Sequence, residues 1–137
     1  MSHKGKRDYK AVFSKLLELI NDPTEGYPRV QEIVSDFEAA VWTTLKKLLP
    51  NVVVMGCSFH INQAMFKNLK KLGLGPLYQE RKDVRTICRQ ILSLNLLPHN
   101  KIEKRFKDIE EKVAIIKEDK LTDFCSYVRS TWITSTI

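Results

Sequence analysis

The stretch Val30–His60, VQEIVSDFEAAVWTTLKKLLPNVVVMGCSFH, decides the fold. A short apolar run, Val30 to Val34, ends in Ser35-Asp36. Its neighbouring charges, Arg29 and Glu32, leave it half polar. Helical spacing of Phe37, Ala40, Val41, Thr44, Leu45 and Leu48 follows, and Pro50-Asn51 stops it. A second run, Val52 to Met55, is β-branched and apolar, which suits a buried strand. It leads into Gly56-Cys57 and on to His60. Strand, helix, strand predicts a βαβ unit with parallel strands. Sites in open α/β sheets form beyond the carboxyl ends of such strands. Asp36, Cys57 and His60 all fall there.

Outward from this unit, the chain turns helical. Upstream, residues 1–7 read as a loose basic end, and a helix is expected from about Asp8. Tyr9, Val12, Phe13, Leu16, Leu17 and Ile20 give it a wide apolar stripe. Asn21-Asp22-Pro23 ends that helix, and Thr24 to Pro28 links it to the first strand. Downstream, four helices are expected. Ile61 to Leu72 make the first, with Gly73 as its cap. Leu74 to Tyr78, with Gly75-Pro76, reads as a break. Val84 to Leu92, Ile102 to Ile116 and Leu121 to Trp132 carry the other three. The expected division is therefore 1–60, an α/β part, and 61–137, a helical part.

The length of 137 residues makes one domain the natural expectation. A hydrophobic fraction of 43% with 28% charged residues is ordinary for a globular protein and argues against disorder. No apolar run approaches the roughly 20 residues of a membrane span. The basic start, MSHKGKRDYK, has no apolar stretch after it, so no secretory signal is read. Three widely spaced cysteines, Cys57, Cys88 and Cys125, form no disulfide pattern and point to a reducing compartment.

The net charge is +7, and its distribution says more than its size. Residues 61–107 hold eleven Lys and Arg against three Asp and Glu. Lys67, Lys70 and Lys71 share one helix face, and Arg81, Arg85 and Arg89 are spaced to share another. Such faces supply the phosphate-contacting part of nucleic-acid binding, although many charge runs are only solvated surface. Phe66 and Tyr78 stand ready either to stack on bases or to pack at the rim of the core.

Three residues invite chemistry. Asp36 is a metal ligand or general base on one reading, and a helix N-cap on the other. Ser35 with Glu38 has the spacing of a capping box. Cys57 and His60 are spaced CxxH, which offers a thiolate and an imidazole to zinc. A structural zinc site needs four ligands, and neither Cys88 nor His99 is brought near by the sequence. The alternative is a Cys packed as a small hydrophobe with a hydrogen-bonded His beside it.

Taken together, SDFEAA, LLPNVVVMGCSFH and INQAMFKNLKKLGLGPLYQE resemble the transposase domain of Mutator-like elements (MULE). RTICRQILSLNLLPHNKIEKRF resembles the helical stretch that follows in that family, and the likeness spans roughly Tyr9 to Trp132. The resemblance implies a partial ribonuclease-H-like fold, with one parallel βαβ unit, a preceding helix and a helical insertion. It implies DNA cleavage and strand transfer in the full-length family, by two Asp and one Glu holding magnesium. Asp36 corresponds to the second carboxylate, and Cys57 and His60 to a CxxH near the active site. The first carboxylate is expected on a strand upstream of Met1, and the Glu beyond a Trp-containing stretch. Glu38 and Glu103 do not stand in matching places. The expectation is a fragment of a transposase, inactive alone, that holds no Mg2+ tightly. DNA is the expected partner and the nucleus the implied location. A homo-oligomer, or pairing with the parent's amino-terminal strands, is the partner that an open sheet edge would admit. The competing expectation is a nucleic-acid-binding or protein-interaction module derived from a transposase.

Overall fold

A computed structural model describes residues 5–20 and 30–134. The expected helix stop at Asn21-Asp22-Pro23 and the link Thr24 to Pro28 lie outside the described residues. Among those described there are seven α-helices and one sheet of two parallel strands. The chain divides into two compact units, Met1–His60 and Ile61–Ile137.

The first unit holds α1 (Lys6–Ile20), β1 (Glu32–Ser35), α2 (Ala39–Leu48) and β2 (Val53–Gly56). Helix α1 begins two residues before the expected Asp8. The reason is local: Asp8 reaches back to accept the Gly5 N–H at 2.8 Å, as an acidic third residue does in a capping box. Helix α2 begins two residues later than expected, with Glu38 rather than Asp36 at its N-cap and no side-chain cap hydrogen bond. The capping box Ser35–Glu38 does not form. Leu49 leaves helical angles ahead of Pro50, as steric conflict with a proline ring requires.

The strands are parallel, in the register Glu32↔Val53 through Ser35↔Gly56. Both sit one or two residues later than periodicity placed them. The larger correction concerns burial. Expected to be buried, β2 is instead covered on one side only. Val53 is 56% exposed and Met55 38%, beside Val34 at 61%. Ile33 and Val54 point to the other face, where they are half-buried. Alternation along a strand sends neighbours to opposite faces, so an apolar run does not guarantee two covered faces. The stripe on α1 is split in the same way: Tyr9, Phe13 and Leu17 are half-buried, while Val12, Leu16 and Ile20 are exposed.

The second unit continues α3 (Ser58–Lys71) through α4 (Gly75–Glu80), α5 (Lys82–Leu92), α6 (His99–Ile116) and α7 (Asp119–Val128). Its core is better closed. Leu74, Val84, Cys88, Ile91, Phe106 and Phe124 are fully buried. Each such side chain contributes about 1.5–3 kcal/mol relative to exposure. Gly73 ends α3 at φ +75°, with Leu74 N–H on Leu69 O and Gly73 N–H on Lys70 O. That pair of bonds is a Schellman cap, and the left-handed angle is the one glycine adopts without strain. The expected break at Gly75-Pro76 is a short helix instead. Pro76 sits in its first turn, where a missing N–H costs nothing. No helix among the described residues is long and apolar enough to cross a membrane.

Candidate functional site

The parallel register sets the candidate site. Ser35 pairs with Gly56, so Asp36 and Cys57 leave the sheet side by side at its carboxyl end. The Cys57 N–H extends the ladder by donating to Ser35 O at 2.8 Å. Helix α3 begins at Ser58, which puts His60 in its first turn. The three residues therefore belong to one rim.

Aromatic packing holds the rim in shape. The Trp42 indole N–H donates to the Asp36 carbonyl at 2.5 Å. The Phe37 ring stacks on Trp42, with centroids 5.8 Å apart and planes 17° from parallel. Phe37 also lies directly over Gly56, where an added Cβ would fall 2.1 Å from its Cζ. Only a residue with no side chain admits that ring, so Gly56 is a packing glycine. Lys46 Nζ sits 5.5 Å from the centroid of the Trp42 ring.

The polar groups divide by what they touch. Asp36 is exposed and caps no helix; its carboxylate has a 3.4 Å contact from the Ser35 hydroxyl, at the long limit of a hydrogen bond. Glu38, two residues on, accepts a 2.6 Å hydrogen bond from the Tyr9 phenol. That bond pushes the Tyr9 pKa up to about 12, with burial and the charge of Glu38 adding to it. Cys57 is half-buried. His60 is exposed and meets the exposed Phe59 ring edge-on, 5.6 Å between centroids. Among the described residues no three His, Cys, Asp or Glu gather closely enough to hold a metal ion. Cys88, named as a zinc ligand on one reading, is fully buried in the helical core, and burial pushes its thiol up to about 11. His99 is exposed at the start of α6.

The basic residues of the second unit divide similarly. Lys67, Lys70 and Lys71 are exposed on α3, opposite the buried Met65 and Leu69. Lys70 Nζ lies 5.3 Å from the Phe66 ring centroid, and Phe66 meets Tyr78 edge-on at 5.9 Å. Both rings are half-buried and pack on each other. Arg85 and Arg89 lie on α5, where Arg89 is exposed and Arg85 half-buried. Arg81 departs from the expected stripe. It is the extended residue between α4 and α5, not part of a helix. Its guanidinium forks onto Asp83 at 2.6 and 3.2 Å and reaches Glu118 at 3.2 Å. The hydrogen bond from Arg81 is the largest influence holding the Asp83 carboxyl below the usual carboxylate range. Arg81 thus spends its donors inside the protein, while the lysines of α3 keep theirs for solvent.

One grouping escaped the sequence. A cleft of about 260 Å³ in the first unit is lined by Lys6, Lys10, Thr43, Thr44, Lys47 and Leu48. Lys6 and Lys10 are four apart on α1, a signal that was legible. Lys47 stands in the last turn of α2, and nothing local joins it to the other two.

Compared with protein-family models, with curated proteins and with solved structures, the chain matches none.

Proposed function

We propose that this chain derives from the catalytic core of a Mutator-like DNA transposase, of ribonuclease-H-like fold, and that by itself it binds DNA without cutting it. The observation that carries the reading is the shared rim of Asp36 and Cys57 at the carboxyl end of a parallel βαβ unit, with His60 one helical turn beyond. Asp36 serves no cap there, so the ordinary structural reason for an aspartate at that position is absent. The exposed lysines of α3 supply the phosphate-contacting charge.

Cutting is a separate matter. The family's magnesium chemistry places ions on both the attacking and the leaving oxygen, which takes several carboxylates. At this rim Asp36 stands without a second available carboxylate among the described residues, because Glu38 is engaged by Tyr9. The donors present among the described residues do not fit such a site. The place of action that goes with this ancestry is the nucleus.

The test is DNA binding as a function of salt, with a nicking assay in magnesium alongside. The expected result is salt-dependent binding without strand cleavage. In K67Q/K70Q/K71Q the slope of log affinity against log salt should become shallower by about 2–3, at roughly 0.9 per lost phosphate contact on duplex DNA. Binding indifferent to salt would remove the DNA reading. Cleavage abolished by Asp36→Ala would remove the inactive one.

A second reading rests on a different observation. The face formed by Val34, Val53 and Met55 is apolar and exposed, and it supports a protein-interaction module. Sedimentation separates the two: concentration-dependent self-association that Val53→Lys abolishes, in a chain that does not bind DNA, favours this second reading.

A further inference from the structure

The cleft between α1 and α2 gathers three lysines, and among the described residues no acid lines it. Lys6, Lys10 and Lys47 are exposed and make no ion pair among the described residues. The acids nearby in sequence are otherwise engaged. Asp8 is turned to the Gly5 N–H, Glu18 pairs with Lys15 at 2.9 Å, and Glu38 takes the Tyr9 phenol. Three like charges around one hollow repel one another, and an anion relieves that repulsion.

The chemistry of the lining narrows the ligand. The hydroxyl of Thr43 donates to Ala39 O at 2.6 Å, and that of Thr44 to Ala40 O at 2.7 Å. Neither has a proton left to offer. The remaining donors are flexible ammonium groups, which recognise charge and not a fixed hydrogen-bonding pattern. A neutral sugar or amide gains little from such a lining. A group with several anionic oxygens gains a contact from each lysine. The cleft is large enough to admit one phosphate group or two.

We propose that this cleft is a phosphate-group site, separate from the basic helices of residues 61–107. Its ligand class is a phosphate ester or polyphosphate, arriving either as nucleic-acid backbone or as a free polyphosphate. Nothing in the proposal depends on transposon ancestry, since of these six residues Leu48 alone falls within the quoted family motifs.

The test titrates the full, nitrogen-15-labelled chain with tripolyphosphate and, separately, with a short DNA duplex, at matched ionic strength. Saturable shifts are expected at Lys6, Lys10 and residues 43–48 with tripolyphosphate, and sodium chloride alone should not reproduce them. K6Q/K10Q/K47Q should weaken the tripolyphosphate interaction about tenfold or more, the screened effect of three ammonium groups. K6R/K10R/K47R, which keeps the charge, should retain it and shows that loss in the first variant is not misfolding. Shifts with both ligands identify nucleic-acid backbone as a source; shifts with tripolyphosphate alone identify a free polyphosphate. K67Q/K70Q/K71Q should leave the tripolyphosphate shifts in place, and a loss of DNA affinity in that variant bears only on the proposed function. The proposal is overturned if neither ligand moves these residues, if K6Q/K10Q/K47Q binds as the parent does, or if K67Q/K70Q/K71Q abolishes the cleft signals.

Discussion

The phenol of Tyr9 donates a 2.6 Å hydrogen bond to Glu38, 29 residues along the chain. That single bond ties α1 to the loop from which Asp36 emerges, and it occupies the acid nearest Asp36 in sequence. Tyr9→Phe should release Glu38 and loosen α1. The effect depends on pH in a fixed direction. Unfolded, the phenol ionises near 10, and in the folded chain it is pushed up to about 12. Its stabilising contribution is fully present below pH 10 and is lost as pH rises to 12. Tyrosinate absorbance should show a late-titrating component that disappears in Tyr9→Phe. A titration curve that this substitution leaves unchanged would contradict it.

Gly56→Ala should destabilise the first unit. The new methyl would meet three atoms of the Phe37 ring at 3.0 Å or less, and that ring is itself stacked on Trp42. Overpacking of this kind costs about 1–3 kcal/mol. Phe37→Ala in the same chain should recover part of the loss by vacating the space. Denaturant unfolding of the two single variants and the double variant checks it; additive losses would mean that the two sites do not touch.

Asp36→Ala should leave stability within about 0.5 kcal/mol, as for an exposed residue away from special features. A capping aspartate would cost about 1 kcal/mol. Thermal unfolding therefore separates the two roles, and a drop near the larger value would restore Asp36 as a cap.

Arg129 fastens the end of the helical unit. It forks onto Glu110 at 2.5 and 2.6 Å, reaches Glu103 at 3.3 Å, and lies 5.0 Å from the Phe106 ring centroid. The hydrogen bond to Glu110 leads the influences that raise the Arg129 pKa. The pair is about one-third exposed, so solvent screens part of its strength. Arg129→Met should cost about 1–2 kcal/mol, more than an ordinary surface pair because the contact is two-pronged. Stability that is unchanged at low salt would show the fork to be idle.

Thiol labelling should count one fast cysteine. Cys88 is fully buried and Cys125 is 5% exposed, and burial pushes their thiols up to about 11 and 12. The thiolate is the reactive form, so both should resist alkylation until the chain unfolds. Cys57, half-buried at the rim, should react first. Mass spectrometry after brief alkylation of the native chain reads the outcome, and early modification of Cys88 would contradict the packing.

Much of the architecture was legible without coordinates. The period-3.6 stripes located the long helices. Gly73 announced its cap. The strand-helix-strand pattern announced two parallel strands and put Asp36 and Cys57 at one end of them. These features were legible because each rests on local sterics and on the repeat of the backbone, which a window of a few residues contains. The same locality explains the misses at Gly75-Pro76 and at the start of α2, where two allowed local structures compete.

What only the tertiary structure decided is which polar groups are spent. Glu38 is taken by Tyr9, and Arg81 by Asp83 and by Glu118, the latter 37 residues away. Lys6 and Lys10 meet Lys47 across a cleft. The sequence by itself determined the elements and the order in which they present their charges. It did not determine the company those charges keep, because a side chain's partners are chosen by packing between distant segments, and a single paired or unpaired carboxylate changes what a site can do.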